Sequence, residues 1–257
     1  DLTNREELPG ARLEVIGEDG KLVDSWISGD KPHTIRELAV GKNYILRETK
    51  PADGYATAEE IEFTVLDMSG SETEIQIQEI KMYDDVTKVE ISKKDFTTKE
   101  NLPGAKIQLW RAEEEGDKSH LVEEWISGDK PHYIEKLPIG KYVLVEESAP
   151  EGYLVAEEIT FTVQDTGEVQ QVEMLDDYTR LEISKKDITT KEELPGAKLQ
   201  LWRAEEKGHK SELVEEWISG REPHYMEKLP AGAYILVEES APEGYLVAEE
   251  LVQYPKM

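Results

Sequence analysis

Residues 140–163 read GKYVLVEESAPEGYLVAEEITFTV, and their alternation decides the fold. Tyr142, Leu144 and Glu146 share one face, as do Ile159, Phe161 and Val163, whose neighbours Thr160 and Thr162 are polar. A period of two places alternate side chains on opposite faces of a half-buried β-strand. The Ala-Pro-Glu-Gly between the two runs is turn chemistry. Outward from there the same pattern continues. Ala105, Ile107 and Leu109 alternate with Lys106 and Gln108, and no run has helical spacing. The expected fold is all-β, an antiparallel sandwich of about seven strands per unit.

The unit is repeated. ELPG at 7–10 returns as NLPG at 101–104 and ELPG at 193–196, and WISG begins at Trp26, Trp125 and Trp217. Gly54-Tyr55, Gly152-Tyr153 and Gly244-Tyr245 each follow a proline turn, and the segment ISKKD recurs after 92 residues. That period is one small domain per copy rather than one turn of a solenoid. Three domains are therefore expected, at 1–86, 87–178 and 179–257. Only the middle copy is complete. The first lacks the KVEISKK strand, and the third ends in LVQYPKM where the second continues ITFTVQDTGEVQQVEMLDD. The first copy also has a shorter loop after Val15 and a longer hairpin around Met68 to Ser71, differences that belong to loops on a fixed scaffold.

With 57 acidic against 30 basic residues the 257-residue chain carries a net charge of −27, which repels nucleic acid and anionic membrane surfaces. No apolar run is long enough to span a bilayer. The absence of cysteine removes disulfides and thiolate chemistry, so a unit of about 90 residues with a modest core needs another brace. The chain begins at Asp1, without an apolar leader or anchor, and is expected to be an internal piece of a longer protein.

Three ionisable residues point at the core of the complete copy. In the opening strand Lys93 shares the face of Val89 and Ile91, with Glu90, Ser92 and Lys94 toward solvent. Glu146 lies with Tyr142 and Leu144, and Glu48 is its equivalent, since the other face of that first-copy strand carries Asn43 and Arg47. Asp176 lies with Val172 and Met174, as Asp84 does with Ile80 and Met82. Burial disfavours isolated charges, and a neutral amine is a nucleophile. A protonated Glu beside it can polarise the Asp carbonyl and then carry the proton that expels water, leaving a Lys–Asp isopeptide bond. The alternative is a buried salt-bridged triad without covalent chemistry.

The ordered set SKKD, LPGAK-x-QL, EWISG, GKYVLVEESAPEGY, ITFTV and VEMLDD resembles the Cna B-type, or SpaA-like prealbumin-fold, domains of Gram-positive surface adhesins and pilins. The resemblance covers the whole chain. It implies a prealbumin-like (reverse Ig-like) fold and a crosslink between Lys93 and Asp176, with Glu146 as proton shuttle. The equivalents in the incomplete copies are Glu48 with Asp84, which have no lysine strand, and Lys185 with Glu238, which have no aspartate strand. Those ends are either cuts through a longer array or open edges that accept a strand from another chain.

Other residues are weaker candidates. His33, His132 and His224 recur in a KPH or EPH turn without a carboxylate at fixed spacing, so they are expected to be turn residues rather than metal ligands. Trp26, Trp125 and Trp217 are expected to pack, whereas Trp110 and Trp202 alternate outward as contact residues. The acidic runs at Glu113 to Glu115 and at Glu157-Glu158 lack the spacing of a calcium loop and are expected to be solvated. No hydrolase triad order or phosphate loop is present, so no cofactor, metal or turnover of an external substrate is expected. The expected role is a stalk or spacer of a cell-wall-anchored extracellular protein, with other domains of that protein as partners. The alternative is an adhesive module that binds a host protein or carbohydrate. The near identity of copies two and three favours a spacer.

Overall fold

The computed structural model describes residues 1–68, 77–113, 117–205 and 209–253. Residues 69–76 around the first copy's long hairpin, Glu114 and Glu115 of the acidic run and the final YPKM lie outside the described residues. All regular structure among the described residues is β. The chain divides into two compact units, one of Asp1–Lys94, Glu100–Glu147 and Glu157–Met174, the other of Asp95–Lys99, Ser148–Ala156 and Leu175–Met257.

The first unit opens with β1 (Arg12–Gly17), β2 (Leu22–Ile27), β3 (Asn43–Lys50) and β4 (Ile61–Thr64), which form one sheet in the order β2-β1-β3-β4. Val15, Tyr44 and Leu46 are buried on its inner face, as alternation requires, and the Tyr44 and Phe63 rings stack at 5.8 Å. Residues 77–85 pack Ile80 and Met82 against this face without forming a strand. Their counterpart in the complete copy pairs with the lysine strand, and no such strand lies among the described residues of this copy.

The complete copy follows with β5 (Lys88–Asp95), β6 (Lys106–Ala112), β7 (His120–Ile126), β8 (His132–Glu135), β9 (Gly140–Ser148), β10 (Ile159–Val163) and β11 (Val169–Asp176). These are the seven expected strands, in two sheets ordered β10-β9-β6-β7 and β11-β5-β8. Between them lie Ile91, Ile107, Leu109, Tyr142, Leu144, Val163 and Met174, all essentially inaccessible. Ser92 departs from the expected pattern. It is buried rather than solvent-facing, on the central strand of its sheet, flanked by β11 and β8.

The second unit carries β12 (Arg180–Ile183), β13 (Lys198–Ala204), β14 (Lys210–Ile218), β15 (His224–Glu227), β16 (Tyr234–Ser240) and β17 (Leu251–Gln253). The sheets are β12-β15 and β14-β13-β16-β17, around Ile183, Leu201 and Met226.

Two of the repeated motifs explain each other. In the middle copy the WISG serine, Ser127, donates from Oγ to Leu102 O at 2.6 Å and accepts from Ala105 N at 2.9 Å, so it spans the LPGA turn. Ser28 does the same to Leu8 and Ala11, and Ser219 to Leu194 and Ala197. The turn glycine, Gly104, has a φ of 96°, which a side chain would resist. A buried hydroxyl thus satisfies two backbone groups that the turn leaves without strand partners.

Candidate functional site

β5 and β9 belong to opposite sheets, so their inward faces meet across the sandwich. Lys93 Nζ lies 3.0 Å from Glu146 Oε1, with side-chain exposures of 1% and 0%. Asp176 is wholly buried at the end of β11, the strand next to β5. Glu90 meets Gln171, Lys94 pairs with Glu173, and the Phe96 amide donates to Asp176 O at 2.8 Å. Partners about eighty positions apart at three successive levels mean that β5 and β11 run in the same direction. Lys93 and Asp176 therefore lie toward the same end of their neighbouring strands.

The first copy brings its two carboxyls together. Glu48 Oε2 accepts from the Ala58 amide at 2.7 Å, and the buried Asp84 carboxyl is its electrostatic neighbour. Burial pushes Glu48 up to about 7, with the neighbouring Asp84 adding to the rise. Asp84 is raised as well, again by burial. A pair of buried carboxyls without a lysine between them keeps a proton, because two like charges in a low-dielectric site are too costly.

In the third copy Lys185 Nζ lies 2.9 Å from Glu238 Oε2, which also accepts from the Ala248 amide at 2.6 Å. Each copy thus turns inward every member of the predicted set that its sequence supplies, with Lys185 half-buried and the others buried.

The histidines correct the sequence-based expectation. His132 opens β8 and His224 opens β15, rather than lying in turns. Each of the three stacks on the tryptophan of WISG, at centroid distances of 4.3 Å for Trp26–His33, 4.3 Å for Trp125–His132 and 4.4 Å for Trp217–His224. Each also has a carboxylate partner, with Asp24 and Glu123 at 2.9 Å and Glu215 at 3.0 Å. The signal was present in the sequence, since an acidic residue stands two positions before each tryptophan. Trp110 and Trp202 lie on the outward face as expected, half-buried, with their indole N–H donated to Gln108 and Gln200.

Sequence reasoning missed a second recurring set. Tyr55, Tyr153 and Tyr245 donate to Asp1, Asp95 and Asp187 at 2.8, 2.7 and 2.7 Å. Each aspartate also caps the turn that follows it, as Asp95 does by accepting from the Thr97 and Thr98 amides. These bonds, with Lys228, hold the Asp95 carboxyl well below the usual range.

The family model for the SpaA prealbumin-like fold domain matches residues 1–81, 87–178 and 179–254, and the chain belongs to that family. Among solved structures it is similar to the Bacillus anthracis TIE protein, with 24% identity, a TM-score of 0.46, and coverage of 99% of this chain and 46% of that one. It is also similar to the shaft pilin SpaA of Lactobacillus rhamnosus GG (15% identity, TM-score 0.35, 65% and 93% of the two chains). A Streptococcal ancillary pilin matches with 18% identity and a TM-score of 0.36, over 90% and 73%. The chain spans less than half the length of the Bacillus anthracis protein. No curated protein matches it.

Proposed function

We propose that the chain is a structural stalk or spacer from a Gram-positive, cell-wall-anchored surface protein or pilin, built of domains at 1–86, 87–178 and 179–257. Its middle domain closes an intramolecular isopeptide bond between Lys93 and Asp176. The observation that carries this is the sealed Lys93–Glu146 contact at 3.0 Å. An ion pair with no water around it gains little from staying charged. Proton transfer from Lys93 to Glu146 leaves a neutral amine and a carboxylic acid.

The amine then attacks the Asp176 carboxyl carbon while the protonated Glu146 donates to its oxygen. A C–N bond forms, a C–O bond breaks, and two protons from the lysine leave with that oxygen as water. Glu146 relays them and is regenerated, so the event is a single turnover and no cofactor enters. The bond closes a loop 83 positions long, which in the simple loop model is worth about 4–5 kcal/mol. Tension entering through β5 and leaving through β11 would pass along the crosslink rather than through the hydrogen-bonded core. The intact mass of the folded chain tests the proposal. A mass short by one water, mapped to Lys93 and Asp176 and lost in Glu146→Ala, supports it, and an unmodified wild-type mass overturns it.

A further inference from the structure

The turn after the proline in each copy presents a glycine, a tyrosine and the tyrosine's aspartate partner. In two copies that surface is occupied, and by the same atoms. At the first, Thr87 donates from Oγ to Leu137 O at 2.7 Å and from its amide to Gly54 O at 3.0 Å, and the Lys136 amide donates to Thr87 O at 3.0 Å. Lys136 has a φ of 62°, and its carbonyl packs so closely on Gly54 that a Cβ there would lie 2.5 Å from it. Its ammonium sits 5.0 Å above the Tyr55 ring and 3.6 Å from Asp1.

At the second, Thr179 donates to Leu229 O at 2.7 Å and to Gly152 O at 2.9 Å, and the Lys228 amide donates to Thr179 O at 2.9 Å. Lys228 has a φ of 58°, and a Cβ on Gly152 would again collide with its carbonyl. Its ammonium sits 4.9 Å above the Tyr153 ring, 2.6 Å from the Tyr153 hydroxyl and 3.2 Å from Asp95.

The third surface has the same parts and, among the described residues, nothing packed on its glycine. Gly244 has a φ of 88°, a methyl group placed on it would meet no atom within 4 Å, and Tyr245 still donates to Asp187. Tyr245 is 46% exposed, against 6% for Tyr55. We propose that the Gly-Tyr-Asp surface is a receptor for a following repeat, and that Gly244, Tyr245 and Asp187 form an open receptor for one more repeat of this kind. The occupant is a repeat that presents a threonine at its entry and a lysine at the position of Lys136 and Lys228.

That lysine sets the specificity. The first copy has Glu37 at the corresponding place, with the same left-handed backbone at a φ of 65°. A carboxylate there would face the tyrosine ring and the buried-side aspartate, both of which repel it, where an ammonium is attracted to both. A second copy of this chain therefore cannot dock its first repeat on the Gly244 surface, whereas a repeat of the middle or third type can.

Hydroxyl-radical footprinting of the tyrosines tests this independently of the crosslink. In the full chain, Lys228→Glu is expected to raise Tyr153 reactivity severalfold with Tyr55 unchanged as a control for folding. Unchanged Tyr153 reactivity would overturn the role of the lysine. Two extended chains test the open surface. Both complete the third repeat after Glu250 with a copy of residues 159–178, and one carries a further copy of residues 179–253. Protection of Tyr245 only with the added repeat, lost when that repeat's lysine is replaced by glutamate, supports the proposal. Equal Tyr245 reactivity in the two chains overturns it.

Discussion

Lys93 and Glu146 face each other from opposite sheets with 3.0 Å between Nζ and Oε1 and neither side chain reachable by water. The contact decides what each substitution of the set should do. Glu146→Ala removes the proton acceptor and leaves a buried lysine charge, so the water-loss product should vanish and thermal stability should fall. Asp176→Ala removes the electrophile but keeps the Lys93–Glu146 pair. Its expected cost is the loop term of about 4–5 kcal/mol plus the lost packing, read as a lower unfolding midpoint of the middle copy in denaturant. A midpoint equal to that of the wild type would show that no crosslink had constrained the unfolded chain.

Among the described residues no lysine pairs with Glu48 or Asp84, and the pH dependence of Glu48 has a definite sign. Glu48 titrates at about 7 when folded and near the ordinary carboxylate value when unfolded. Between those values the folded state holds the extra proton. Stability is therefore fully present below about 4.5 and declines as pH rises toward 7, by up to about 1.4 kcal/mol per pH unit. The carboxyl carbon resonance of Glu48 should titrate near neutrality, and hydrogen exchange in β3 should accelerate over the same range beyond its intrinsic pH dependence. Glu48→Gln should flatten that excess. A resonance that titrates near the ordinary carboxylate value would refute the shared proton.

The alternation of residues 140–163 was enough to place Tyr142, Leu144 and Glu146 inside, because one buried face imposes period two directly on the sequence. Lys93, Asp176 and their equivalents were legible for the same reason, each being a polar residue on an apolar face. The tyrosine–aspartate pairs were not. Tyr153 and Asp95 stand 58 positions apart, and both residue types are ordinary in turns, so nothing local marks them as partners. Ser127 was legible only as part of WISG, and its role emerges only once β6 and β7 bring it beside the LPGA turn.

That serine offers a stability test away from the ionisable set. Ser127→Ala removes a hydroxyl that satisfies both Leu102 O and Ala105 N in a buried site. Leaving a buried donor and acceptor without partners costs about 1–3 kcal/mol. The loss should appear in denaturant unfolding of the middle copy without changing the intact mass relative to the wild type. Ser127→Thr retains the hydroxyl and should recover part of the loss, which an effect of side-chain volume alone would not allow.

The glycines of the proline turns separate backbone strain from contact. Gly54, Gly152 and Gly244 have φ values of 86°, 83° and 88°, so alanine meets the same conformational penalty at each, about 1 kcal/mol. Only the first two also place the new methyl against a carbonyl, that of Lys136 at 2.5 Å and that of Lys228 closer still, while the third meets open space. A backbone carbonyl cannot rotate away as a side chain can, so the neighbouring repeat must move. Gly244→Ala should therefore cost the strain alone. Gly54→Ala and Gly152→Ala should cost that amount and also break the Thr87 and Thr179 hydrogen bonds at their junctions. Amide hydrogen exchange at Lys136 and Lys228 reads those junctions directly. Faster exchange of both in their respective variants, with no change at either in Gly244→Ala, is the expected pattern. Equal behaviour of the three alanine variants would mean that the close approach at Gly54 and Gly152 contributes nothing to holding the repeats together.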